Sequence, residues 1–249
     1  MTVPSTLSGK TVSEIYASCF ENKTAITSVA IPSSVTSTGS SAFSGCSGLT
    51  RVNISDLAAW FKISFSNSTS NPLYYAQHLY LNNTELTELT IPSSITQINA
   101  CALCGASSIT AATIPSSVTS IGSGAFYGCT GLTSITIPSS VTSIGSSAFS
   151  GCSGLTSITL PDGLTSIGVN AFGYCTGLTK IYIPASVTTI TTSNNTSSPF
   201  YGCKSSLKIY CGASSKPSGW GQYWNYYKSS GSGGNLLSVT WGASGLPES

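Results

Sequence analysis

The pairs Ile91-Pro92, Ile114-Pro115, Ile137-Pro138, Leu160-Pro161 and Ile183-Pro184 recur at one interval, 23 residues. A unit that short cannot bury an apolar face by itself, so a fixed period in the twenties predicts a solenoid in which each coil is covered by its neighbours. Within one unit, Ile158-Thr159-Leu160 alternates apolar and polar residues, which reads as a short half-buried strand. Pro161 has no N–H to give to a ladder and ends it. Leu164, Ile167, Gly168 and Ala171-Phe172 then turn the chain back as a tight helical turn or an irregular arm. Strand and arm in alternation predict an α/β solenoid, an arc with a parallel β-sheet on its concave face and short helical or irregular arms on its convex face.

Columns read across the units support that register. One holds Phe20, Phe43, Phe126, Phe149, Phe172 and Phe200, with Leu103 in the remaining place; another holds Val12, Val35, Ile95, Val118, Val141, Leu164 and Val187. Such columns become internal spines, each buried member contributing about 1.5–3 kcal/mol against an ordering cost of similar total size. Two intervals depart from the period. Ile54 to Ile91 is 37 residues and Ile183 to Cys211 is 28. The long unit 54–91 opens with a helix cap at Ser55-Asp56 before Leu57–Ile63, turns at Asn71-Pro72, and carries a predicted hairpin around Asn82-Asn83. The extra residues there, and those at 191–199, are expected to leave the stack as loops. From 212 the character changes to an aromatic segment and a flexible Ser229–Asn235 stretch. Residues 1–211 are therefore expected to form the solenoid, and 212–249 a C-terminal cap and tail over its open edge.

Composition excludes several classes. Charged residues make up 6% of the chain, against about 25% in ordinary globular proteins, and the net charge is +2 with one arginine, Arg51. No cluster of Lys and Arg exists to bind nucleic acid or an anionic membrane surface. No window of 18 apolar residues predicts a membrane span, so neither nucleic acid nor membrane insertion is expected. Met1–Lys10 has no apolar core, so no leader is expected in it; an export signal was removed, or the chain is one module of a longer protein.

The repeat Ile137–Pro161 (IPSSVTSIGSSAFSGCSGLTSITLP), the insert at 54–83 (ISDLAAWFKISFSNSTSNPLYYAQHLYLNN) and the tail at 216–225 (KPSGWGQYWN) together resemble the BspA-like leucine-rich repeat family, from about Thr11 to Gly242. The resemblance implies a leucine-rich-repeat arc, a bacterial or protist surface protein, and in several members adhesion to matrix proteins or cells. It brings no catalytic residue. The chain departs from the family pattern at Thr38, where Ile or Val is usual, and at Leu103-Cys104.

Catalytic constellations are not visible. The one histidine, His78, has no Ser, Cys or Asp pattern around it, the carboxylates are scattered, and no phosphate-cradling motif is present. Cys46, Cys129, Cys152, Cys175 and Cys203 share a column after glycine. Coils about 4.8 Å apart hold their Cβ atoms too far apart for disulfides, so small buried thiols are expected rather than a metal or disulfide ladder. Cys101 and Cys104 form a lone C-x-x-C, read as a local disulfide or two free thiols rather than zinc. No metal and no cofactor is expected. Sequons begin at Asn22, Asn53, Asn67, Asn82, Asn194 and Asn195 and matter only in a host that glycosylates. The rings of Trp220, Tyr223, Trp224, Tyr226, Tyr227 and Trp241 are read as a lid on the last coil, with a sugar-stacking platform as the alternative.

That leaves the outward positions of the strands. One column runs Ser28, Arg51, Glu88, Ala111, Ser134, Ser157, Lys180; beside it run Ala30, Asn53, Thr90, Thr113, Thr136, Thr159, Tyr182. Seven strands would span roughly 29 Å, enough for a protein or glycan partner. Candidate contacts are Arg51, Asn53, Glu88, Thr90, Thr113, Ser134, Thr136, Ser157, Thr159, Lys180 and Tyr182. Hot spots are expected near Arg51–Glu88, near Lys180–Tyr182 or on the 55–80 insert, because the Ser/Thr stretch between lacks anchors. The expected function is a non-enzymatic extracellular or cell-surface module that binds protein, with a structural spacer or an aromatic carbohydrate-binding module as alternatives.

Overall fold

A computed structural model describes residues 1–194, 196–227 and 236–247 of the chain. The period is realised as stacked coils with in-register parallel strands. Ala111, Ala112 and Thr113 lie opposite Ser134, Ile135 and Thr136, and Ser157, Ile158 and Thr159 opposite Lys180, Ile181 and Tyr182. Alternation then aims Val29, Val52, Leu79, Leu89, Ala112, Ile158, Ile181 and Ile209 into the core. The expected spines are present. Phe126, Phe149 and Phe172 stack with ring centroids 5.1 and 5.4 Å apart, Phe200 follows at 6.2 Å, and Phe20 lies 5.2 Å from Phe43.

The arms differ from the expectation. Instead of only helical or irregular chain, they carry a second parallel ladder of two-residue strands, Gln97–Ile98, Ser120–Ile121, Ser143–Ile144, Ser166–Ile167 and Thr189–Ile190, with a counterpart at Glu14–Ile15, Ser37–Thr38 and Ser64–Phe65. Two residues show no periodicity, and only the stack supplies their partners. At the end of this ladder the coils approach closely: a Cβ on Gly145 would sit 2.6 Å from the backbone nitrogen of Ser123 in the preceding coil. Glycine is required there by space, not by φ.

The long unit corrects the sequence expectation most. Residues 55–80 do not leave as a loop; they close a coil of their own. Helix α1 (Leu57–Lys62) is capped by the Asp56 carboxylate, which accepts from the Ala59 N–H at 3.0 Å, and helix α2 (Leu73–Ala76) follows a 3-10 turn at Ser68–Ser70. Trp60, Phe61 and Leu73 are buried, and the strand Leu79–Leu81 pairs in parallel with Arg51–Ile54. The extra residues widen the coil because their apolar side chains have a core to enter. The hairpin at Asn82-Asn83 is as expected. Both residues have positive φ, 51° and 68°, and Tyr80 pairs with Glu85 and Leu81 with Thr84.

That hairpin also breaks the sheet. The returning strand Thr84–Glu85 occupies the edge that the next coil would use, so Glu88–Thr90 begins a new ladder. A second break lies between Ser134–Thr136 and Ser157–Thr159, which are not paired, although the arm ladder behind them is continuous from Ser143 to Ser166. The single seven-strand row expected from the columns is thus three ladders. In the second insertion Ser197 and Ser198 do not leave the stack: both are buried, and Ser198 donates to the Trp224 carbonyl at 3.1 Å. Asn195 and the Ser229–Asn235 stretch lie outside the described residues. Over the last coil, Trp220 and Trp224 are buried edge to face with centroids 4.6 Å apart, Trp220 Nε1 donates to the Val187 carbonyl at 2.9 Å, and the strand Ser238–Trp241 extends the final ladder.

Candidate functional site

Every candidate contact residue lies on the outward side of a long strand, because each is the polar member of an alternating pair whose apolar member is in the core. They do not form one field. Tyr80, which the column reading left out, lies opposite Asn53, where Thr90 was expected. Arg51 and Glu88 therefore belong to different ladders, separated by the hairpin.

Around Arg51 the structure assembles a cluster. The guanidinium carbon lies 3.9 Å from the Tyr80 ring centroid, Nε donates to Asn53 Oδ1 at 2.7 Å, and a terminal nitrogen donates to Asn83 Oδ1 at 3.0 Å. The Tyr80 hydroxyl donates to Glu85 Oε2 at 3.2 Å, and His78 Nδ1 lies 2.6 Å from Glu85 Oε1. The hydrogen bond with His78 holds the Glu85 carboxyl below its usual range, against a smaller opposing effect of burial. A cation held by three partners has little rotamer freedom left to lose when a ligand arrives. Beside it, Asn53, Asn82 and Asn83 line a cleft of about 270 Å³ with Ala30, Pro32 and Ser55.

In the middle of the face, Ser134, Thr136, Ser157 and Thr159 line the unpaired seam, which opens as a shallow cleft of about 420 Å³. Thr90 and Thr113 stand on the ladder before it, exposed.

At the far end the register adds residues beyond Lys180 and Tyr182. Lys208 and Tyr210 lie directly opposite them, then Ser238 and Thr240. The repeated words Lys180-Ile-Tyr182 and Lys208-Ile-Tyr210 are the signal that could have found them. Lys180 donates to the Pro247 carbonyl at 3.2 Å, and burial raises the Tyr182 phenol.

The cysteine column behaves as read. Each of its thiols donates to the carbonyl of the Phe-column residue one coil back: Cys46 to Phe20 at 3.0 Å, Cys129 to Leu103 at 3.1 Å, Cys152 to Phe126 at 3.2 Å, Cys175 to Phe149 at 3.1 Å and Cys203 to Phe172 at 3.2 Å. Burial pushes these thiols up, Cys129 and Cys203 to about 12, so they stay protonated and unreactive. Among the described residues, no three His, Cys, Asp or Glu side chains converge as metal ligands, and no helix is long and apolar enough to cross a membrane.

The sequence matches the BspA type leucine rich repeat region, in six copies, over residues 4–80 and 76–207. Similar solved structures include a leucine rich repeat protein of T. pallidum, 26% identical, with 71% of this chain and 76% of that one covered and a TM-score of 0.45. A leucine-rich repeat protein from Bacteroides ovatus is 24% identical over 84% of this chain and 60% of its own, with a TM-score of 0.43. The pneumococcal vaccine antigen PcpA is 16% identical over 82% and 67%, with a TM-score of 0.49. No curated protein sequence matches the chain at a significant level.

Proposed function

This chain belongs to the BspA type leucine rich repeat family, and from that premise we propose that it is a non-enzymatic module, displayed at or outside the cell surface, that binds a protein partner through its long-strand face. The observation that carries the proposal is the contrast along that face. Its centre is Ser and Thr, while Arg51 stacked on Tyr80 stands at one end and the Lys180, Tyr182, Lys208 and Tyr210 group at the other. Arg and Tyr are the side chains that most often carry interface energy, and here they are already ordered. Glu88, Thr90, Thr113, Ser134, Thr136, Ser157 and Thr159 then serve as the less energetic surface between two anchors.

The carbohydrate alternative loses its main platform, since Trp220 and Trp224 are 2% and 4% exposed and present no open ring face. The spacer alternative draws on the bare Ser/Thr centre and gives the opposite result in the same experiment. Immobilised extracellular-matrix glycoproteins and intact cells are titrated with the chain and with two double variants, Arg51→Ala/Tyr80→Ala and Lys180→Ala/Tyr182→Ala. Saturable binding that weakens at least about tenfold in one or both, with an unchanged melting temperature, is expected; tenfold corresponds to about 1.4 kcal/mol. Binding unaffected by either, or no binding to any member of the panel, leaves the spacer.

A further inference from the structure

Five coils between Ser41 and Gly173 make the same tight turn around their Phe-column residue, closed by an N–H to carbonyl bond three residues back: Ser44 to Ser41, Cys104 to Cys101, Tyr127 to Gly124, Ser150 to Ser147 and Gly173 to Asn170. The first corner has positive φ every time, 57° at Ser41, 57° at Cys101, 61° at Gly124, 54° at Ser147 and 53° at Asn170. One coil alone places cysteine at both corners of this turn. In that coil the buried spine position, filled by cysteine at 46, 129, 152 and 175, is Ala106. These two thiols are thus outside the packing scheme that explains the column.

We propose that the Cys101–Cys104 turn is a thiol–disulfide exchange site, in which Cys101 attacks a small disulfide of the glutathione class and Cys104 resolves the adduct. Three observations support it. A turn closed by that hydrogen bond brings its end Cα atoms to less than about 7 Å, which overlaps the roughly 4.4–6.8 Å that a disulfide spans. The turn is held from outside itself: buried Asn71 donates from Nδ2 to the Cys101 carbonyl at 2.7 Å, and buried Trp60 donates from Nε1 to the Ala102 carbonyl at 3.0 Å. Both side chains come from the widened coil, so the insertion frames this one turn. Finally, the two cysteines open onto a cleft of about 350 Å³ with Asn67, Ser68, Tyr127 and Ser147, large enough for the reacting half of a small molecule.

The roles follow from position. Cys101 is half-buried, with its Sγ 3.9 Å from the Ser123 carbonyl, and hydrogen bonding from Cys104 holds its thiol below the ordinary value; Cys104 is buried, and the same bond and its burial push it up. The Cys101 thiolate attacks one sulfur of the small disulfide, forming a mixed disulfide and expelling one thiolate. In the mixed disulfide Cys101 no longer carries the thiolate that most raises Cys104, so Cys104 gives its proton to the expelled thiolate and attacks the Cys101 sulfur, forming the intramolecular bond and expelling the second thiolate. The dithiol is oxidised by two electrons, and one small disulfide becomes two small thiols.

The test uses the whole chain with Cys19→Ser, which removes the exposed thiol. After incubation with oxidised glutathione and quenching by alkylation, mass spectrometry is expected to show the loss of two thiols and no others, with the bridge mapped to the fragment holding residues 101–104. Cys104→Ser, or Cys104→Ala if the hydroxyl disturbs the buried site, is expected to stop at one glutathione adduct; Cys101→Ser is expected to give neither product. An unchanged thiol count, a bridge mapped elsewhere, or equal adduct formation in Cys101→Ser overturns the proposal.

Discussion

At the scale of single residues, a column is a test of each member. Thr38 lies in register with Ile15 before it and Phe65 after it, both buried. It is 2% exposed, and its Oγ1 has no hydrogen-bond partner. A buried hydroxyl without a partner costs about 1–3 kcal/mol, so Thr38→Val, which keeps the shape, is expected to stabilise the fold. At about 2–4 °C for each kcal/mol, a thermal melt resolves the gain; a lower midpoint would show that the hydroxyl is satisfied in solution. The buried thiols make the opposite case. Each sulfur has a carbonyl one coil back, so the cysteine column is a set of satisfied donors rather than a reservoir of reactivity.

At the scale of elements, the widened coil and its hairpin concentrate what the other coils spread thinly. Asn71 is buried with three partners, donating to the Cys101 and Ala102 carbonyls and accepting from the Leu73 N–H, so one side chain ties α2 to the following coil. On the other side the hairpin is fastened by the contact between His78 and Glu85, whose side chains are 45% and 32% exposed. The Glu85 carboxyl is held below its ordinary value in the folded chain. The stabilisation this gives is therefore present above the unfolded carboxylate range, about pH 4.3, and disappears as pH falls through the lower folded value. Solvent screening limits it to about 1 kcal/mol. Amide protection factors in Leu79–Glu85, which divide out the fall of the intrinsic exchange rate with pH, should drop on acidification below about pH 4 in the parent, while Glu85→Gln starts from the weaker state and shows a flatter profile. Parallel profiles in the two proteins would contradict this account of the hairpin.

At the scale of the whole molecule, stability passes from coil to coil, and the three long-strand ladders are linked by arms and core rather than by one sheet. At the seam between Ser134–Thr136 and Ser157–Thr159 the long strands do not pair, and neighbours are joined behind them by the arm ladder at Ser143 and Ser166, by Phe126 against Phe149, and by bonds such as that from the Cys152 thiol to the Phe126 carbonyl. Backbone amides in the two seam strands are expected to exchange faster than those of Lys180–Ile183, which is paired on both sides. Equal protection would mean that the sheet closes in solution. The seam is lined by the same Ser and Thr residues that lie between the two proposed anchors, so any ligand spanning both ends crosses it.

The period, the spines, the buried thiols, the hairpin and the direction in which each strand residue points are all determined by sequence, because each follows from local alternation or from copying one unit. Which strands are neighbours is not. Reading Ile54 to Ile91 as one long interval set Glu88 beside Arg51, whereas the fold inserts Leu79–Leu81 between them. Trp60, Phe61 and Leu73 find core only when coils stand on both sides of them. The Arg51–Tyr80 anchor, the lysine pair at 180 and 208, and the framing of the Cys101 turn by Asn71 and Trp60 exist only through that stacking order. Contacts between coils depend on how many residues each coil closes with, and that number is set by packing, after the sequence pattern has ended its say.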